Sequence, residues 1–224
     1  ELGADAHIVD TGGCPLVIGG LGNDPALPTI SIYNHLDVQP ADPAEWQTPP
    51  FSLTKQGDIW RGRGTTDDKG PALTALLGAK LAFDDGVRAN LRFIWELEEE
   101  IGSPHFETGL ARAVAGFAGQ APLATDVVVV SDTIWLSAGR PALPYGLRGL
   151  MGLSVRLQTG AKDVHSGTTG GAARNPIGEL AALITDCYDA RTGRVKIPGF
   201  YDDVRKITAA ERQGFKRAGF SRKR

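Results

Sequence analysis

Thr29-Ile30-Ser31-Ile32-Tyr33-Asn34-His35-Leu36-Asp37 is the stretch on which the fold turns. Its β-branched and aromatic residues over 29–33 suit a strand, and the run ends in polar side chains. Upstream, 15–18 is a second strand-like run, separated from the first by Gly-Asn-Asp-Pro turn residues. Downstream, 40–51 carries Pro and Trp without an apolar period and reads as a loop. Residues 71–83 place Leu73, Leu76, Leu77, Ala79, Leu81 and Ala82 in a wide apolar stripe behind Pro71, which suits a first helical turn. A strand over 91–95, a helix over 105–117 and a buried strand over 126–132 ending in an acid complete the series. Alternating strands and helices predict an α/β domain on a largely parallel or mixed sheet, with functional residues beyond the carboxyl ends of its strands.

The pattern changes after Tyr145-Gly146. Residues 147–158 alternate apolar and polar side chains, as a half-exposed antiparallel strand does, so a second domain is expected to start there. That divides the chain into 1–146 and 147–224. A helix is expected over 176–188, with a polar tail from Tyr201.

Lys and Arg total 24 against 26 Asp and Glu, so a net charge of −2 gives no electrostatic argument for nucleic acid or an anionic membrane surface. Two distant cysteines, Cys14 and Cys187, form neither a disulfide framework nor a thiolate metal site, and favour a reducing, cytoplasmic setting. No apolar run reaches the roughly 18 to 20 residues of a spanning helix. The chain lacks an initiator Met, so an upstream segment is expected to be missing.

Four constellations carry possible chemistry. His35 and Asp37 sit two apart at a strand end, where a period of two turns both to one side; backbone-bonded loop residues are the plain alternative. Asp67 and Asp68 follow a Gly-rich approach to a helix, where either serves equally as a cap. Glu96-Leu97-Glu98-Glu99-Glu100 crowds four acids after an apolar strand; a cation would relieve their repulsion, and a solvated acidic turn would also explain them. Asp132 ends a run of four valines. Together, His35, Asp67, Glu99, Glu100 and Asp132 at successive segment ends form a His and carboxylate palette suited to Zn, Mn or Co.

Asn34-His35-Leu36-Asp37-Val38, Gly62-Arg63-Gly64-Thr65-Thr66-Asp67-Asp68-Lys69-Gly70 and Glu99-Glu100-Ile101-Gly102-Ser103, followed by Ser131-Asp132 and Asp163-Val164-His165-Ser166-Gly167, resemble the metallopeptidase family of carnosine dipeptidases, acetylornithine deacetylase, succinyl-diaminopimelate desuccinylase and carboxypeptidase G. The wording is nearest to the dipeptidase branch. The resemblance implies a mixed-sheet, three-layer zinc-exopeptidase-type catalytic domain, followed by the start of an inserted α+β lid and dimerisation domain. It implies two divalent ions: His35, Asp67 and Asp132 on one, with Asp67 bridging to a second that Glu100 also binds. It makes Glu99 the general base and Asp37 the residue that orients His35, with a cis Asp67–Asp68 peptide. His165 would stabilise an oxyanion in the partner subunit of a homodimer. The expected substrates are dipeptides or short peptides, with N-acyl amino acids, or a non-catalytic binding role, as alternatives. Family members continue past the point where this chain stops, so truncation before a further His ligand, an unpaired sheet edge and loss of activity are expected.

Overall fold

The computed structural model describes residues 2–116, 125–133, 137, 139–144 and 146–219, without the side chains of 115 and 116. The chain divides into two compact units, Glu1–Pro144 and Tyr145–Arg224.

The first unit is built on a five-stranded sheet. Its strands are β1 (Asp5–Val9), β2 (Leu16–Leu21), β3 (Thr29–His35), β6 (Asn90–Glu96) and β7 (Val127–Val130), in the order β1-β2-β6-β3-β7. Between β3 and β6 lie a small ribbon, β4 (Thr54–Gln56) with β5 (Ile59–Arg61), and the helix α1 (Lys69–Asp84); α2 (Phe106–Gly116) links β6 towards β7. The β1–β2 and β2–β6 pairs are antiparallel, while β6–β3 and β3–β7 are parallel, so the sheet is mixed, as expected. Parallel pairing sends the carboxyl ends of β3, β6 and β7 to one edge, and register aligns them: His35 stands opposite Glu96, and Tyr33 opposite Val130.

Strand alternation gives the sheet two apolar faces. Leu21, Ile32, Leu91 and Phe93 are buried against Ala75, Leu76, Ala79 and Phe83 of α1. Leu16 and Ile18, of opposite parity to Leu21 on β2, pack with Ala113, Phe106 and Leu110 of α2. The result is three layers, helix, sheet and helix.

Four expectations are corrected. The 126–132 strand is not buried: Val127 to Val130 are 39–56% exposed, because β7 lies at the sheet edge while α1 packs on β3 and α2 on β1 and β2. Among the described residues β7 pairs only with β3. The α1 stripe is only partly used, with Leu73, Leu77 and Leu81 exposed. The strand-like run at 15–18 is not the first strand: β1 precedes it and carries His7. In the second unit, 147–158 forms no ladder among the described residues, and Leu147, Leu150, Met151 and Leu153 are exposed; alternation supplies a face, but a strand also needs a partner.

The second unit holds the short helix α3 (Ser166–Thr169), α4 (Pro176–Cys187), a minimal pair β8 (Tyr188–Asp189) and β9 (Arg194–Val195), and α5 (Ala209–Arg217). Asn175 caps α4 ahead of Pro176, its side chain accepting from the Ile177 and Gly178 N–H groups. The expected polar tail contains α5, which begins with a capping box: Thr208 Oγ1 accepts from Glu211 N at 3.2 Å, and Glu211 Oε2 accepts from Thr208 N at 2.8 Å.

Candidate metal centre

His35 ends β3 with its side chain wholly buried. Its Nδ1 lies 3.3 Å from Asp37 Oδ1, an ionic contact rather than an aligned hydrogen bond. Its Nε2 lies 2.8 Å from Asp67 Oδ1, and 3.9 Å from both Glu99 Oε2 and Asp132 Oδ2. Four carboxylates from four segments thus converge on one imidazole.

The fold brings each there for a local reason. Asp132 follows β7, whose exit is tied to β3 by the Ser131 N–H donating to Tyr33 O at 3.0 Å. Asp67 and Asp68 precede α1, and the peptide between them is cis, as the resemblance implied. Asp68 is wholly buried and caps nothing through its side chain. Its Oδ2 instead accepts from Asn34 Nδ2 at 2.8 Å and from the His35 N–H at 3.1 Å. The same Asn34 amide donates to Ser131 O at 3.0 Å, so one buried side chain joins β3, the α1 approach and the β7 exit.

The acidic run divides its labour. Glu96, 2% exposed, accepts from the Tyr33 hydroxyl at 2.6 Å. Glu98, 7% exposed, accepts from Cys14 N at 2.9 Å and meets His105 Nδ1 at 2.9 Å. Glu99 and Glu100 open a short 3-10 turn, Glu99–Ile101, closed by Gly102 at φ 90, a left-handed conformation that suits glycine. The solvated-turn reading therefore fails for Glu96 and Glu98, which fix the turn to the sheet and to the β1–β2 loop. Asp37 makes a second bond here, its Oδ2 accepting from Glu100 N at 2.9 Å.

The electrostatics follow from crowding. Burial raises the Glu99 carboxyl above its ordinary range; His35 opposes the shift, while Asp132, Glu100 and Asp37 add to it. Asp132 is raised by burial, against His35 and with Asp67 and Glu100. Asp68 is pushed up to about 6, again chiefly by burial, with the Asn34 and His35 hydrogen bonds opposing. For His35 burial acts downward, but Asp67, Asp132, Glu99 and Asp68 together raise it. The site holds more negative charge than one imidazole can balance. Ligand atoms of His35, Asp68 and Asp132 all lie within 4.8 Å of one another, and Asp68 Oδ1 is buried without a hydrogen-bond partner among the described residues. A hard N/O donor set, excess negative charge and an orphaned buried carboxylate oxygen fit a divalent cation.

Of the residues singled out from sequence, His35, Asp37, Asp67, Glu99 and Asp132 are brought together, and Glu100 lies close enough to raise Glu99 and Asp132. His165 belongs to the second unit, where its Nδ1 accepts from Gly167 N at 2.9 Å and caps α3. Sequence reasoning gave Asp68 no ligand role; burial separates it from Asp67, and burial depends on the packed sheet edge.

The chain is 38% identical over 205 residues to a mouse Beta-Ala-His dipeptidase, covering 90% of this chain and 41% of the relative. It is 37% identical over 202 residues to a Schizosaccharomyces pombe Cys-Gly metallodipeptidase, covering 88% and 41%. It therefore spans about two fifths of the length of these relatives. Among solved structures, an M20 family metallo-carboxypeptidase from Sulfolobus solfataricus superposes with a TM-score of 0.72 at 34% identity, over 98% of this chain and 48% of that one. Human carnosine dipeptidase 1 gives 0.61 at 34%, over 96% and 47%. Residues 31–214, which carry every residue of the centre, match the model of peptidase family M20/M25/M40, and the chain belongs to that family.

Proposed function

We propose that the protein of which this chain forms the metal-binding part hydrolyses dipeptides or short peptides bearing a free carboxylate, using two divalent ions. The observation that carries this reading is the convergence of Asp67, Glu99, Asp132 and Asp37 on the buried His35. His35, Asp67 and Asp132 would hold one ion, and Asp67 together with Glu100 would hold the second. Asp68 adds a carboxylate oxygen to the group and fixes the backbone of His35. Zn or Mn suits these donors, with Co a further candidate. Bound there, the ions would supply Lewis acidity towards the scissile carbonyl and ease ionisation of the attacking water.

The side chains account for the proton. Glu99, raised by burial and by its acidic neighbours, is a better base than a free carboxylate. It takes a proton from the water that adds to the carbonyl carbon and delivers it to the nitrogen as the C–N bond breaks, so no covalent enzyme intermediate is needed. Asp37 holds His35 from behind and the Glu100 amide in front. His165 is assigned, on family resemblance, to the oxyanion in a partner subunit of a homodimer.

The relatives named for Beta-Ala-His and Cys-Gly dipeptides favour dipeptides over N-acyl amino acids. The test is ion content by mass spectrometry and Mn- or Zn-dependent hydrolysis of a dipeptide panel, on this chain and on a version extended to the relatives' length. In the active form, Glu99→Gln is expected to keep its ions and lose about 10²- to 10⁴-fold in rate. Ion-free protein that cleaves nothing in either form would rule the reading out.

A further inference from the structure

Gln39, four residues beyond His35, makes three contacts with one residue of the acidic turn. Its side-chain Nε2 donates to Glu100 Oε2 at 3.0 Å and to Glu100 O at 2.9 Å, and its backbone N–H lies 3.3 Å from Glu100 Oε1. Both carboxylate oxygens and the carbonyl of Glu100 are thus met by donors from one residue. The neighbouring backbone is fixed independently: Leu36 N donates to Glu96 O at 2.7 Å, and Asp37 Oδ2 accepts from Glu100 N. Without Gln39, the Glu100 side chain would hang from a three-residue 3-10 turn with its rotamers free.

We propose that Gln39 is a positioning residue that presents Glu100 to a divalent cation as a carboxylate of fixed orientation. An amide NH₂ group suits this role because it only donates, so each oxygen keeps lone pairs for a cation. The inference rests on the metallohydrolase reading, because it gives Glu100 a cation to hold.

The experiment is calorimetric titration of the metal-free chain with Mn²⁺, on unmodified protein, Gln39→Met, Gln39→Ala, Glu100→Ala and the Gln39→Met/Glu100→Ala double variant, beside urea unfolding without ion. Met keeps the length of Gln and removes the donor. Gln39→Met and Gln39→Ala are expected to weaken Mn²⁺ binding by about tenfold alike, with the ion-free unfolding midpoint unchanged. In the Glu100→Ala background, Gln39→Met is expected to have no further effect. Binding by Gln39→Met equal to that of the unmodified chain, or an equal loss with and without Glu100, overturns the proposal and leaves the metal reading standing. Unmodified protein that takes up no Mn²⁺, either as this chain or extended to the relatives' length, sinks the metal reading, and this inference with it.

Discussion

Asp68 is the residue whose environment is least like its sequence context. An aspartate before a helix ordinarily caps it in water, whereas this one is wholly buried, with Oδ2 bonded to Asn34 and to the His35 N–H. Its pKa of about 6, raised from 3.8 by burial, has a thermodynamic sign. Between those values the folded chain binds more protons than the unfolded one, so stability falls as pH rises through that window. On the order of 2–3 kcal/mol is at stake for this one group. Ion-free protein should therefore lose stability in urea between about pH 4 and pH 6, and saturating Mn²⁺ should flatten the slope by stabilising the carboxylate. A slope of opposite sign would show that Asp68 is not the controlling group. Substitution should separate the roles: Asp68→Ala leaves the His35 N–H and one of the two Asn34 amide hydrogens unpaired in the interior and should cost about 2–4 kcal/mol, while Asp68→Asn keeps an acceptor and should cost less.

At the scale of elements, the approach to α1 is the tightest piece of backbone. A Cβ on Gly70 would stand 2.0 Å from the Thr65 carbonyl oxygen, and the Gly70 N–H donates to Gly64 O at 3.2 Å. Helix propensity alone predicts that Gly70→Ala gains about 1 kcal/mol. The clash with a backbone atom should reverse the sign and cost about 3 kcal/mol, read from the urea midpoint; a rise in midpoint would refute the close approach. Glu98 plays the matching part for the acidic turn. Its bonds to Cys14 N and His105 tie the turn to the β1–β2 loop, so Glu98→Ala should weaken Mn²⁺ binding without removing any proposed ligand. β2, β3, β6, β7, α1 and α2 of the first unit were readable because each carries its own periodicity and turn residues, whereas β1 and the short β4–β5 ribbon were not. α5 escaped notice although Thr208 and Glu211 print a capping box, because a strongly polar helix lacks the apolar stripe that announces the others.

At the scale of the molecule, β7 is an unprotected edge among the described residues. Its four valines are 39–56% exposed, and its outer edge has no partner among the described residues. An exposed, uncharged edge strand invites pairing with another chain. The 224-residue chain should therefore self-associate as its concentration rises, and Val128→Lys should shift light scattering towards monomer without altering the circular dichroism. Unchanged association in that variant would move the cause elsewhere. The sequence by itself determined the order β2, β3, α1, β6, α2 and β7 and the mixed α/β class. It also put His35, Asp67, Glu99, Glu100 and Asp132 at segment ends, because local periodicity and chain order set those features. Only the tertiary structure decided which acids face His35 and which are spent on architecture, since that depends on register: β3 paired along its length with β6 sets Glu96 beside His35, and the turn then carries Glu99 and Glu100 onward. It alone made Asp68 a buried carboxylate and β7 an exposed edge, because burial depends on which elements lie across a surface and not on the composition of the surface itself.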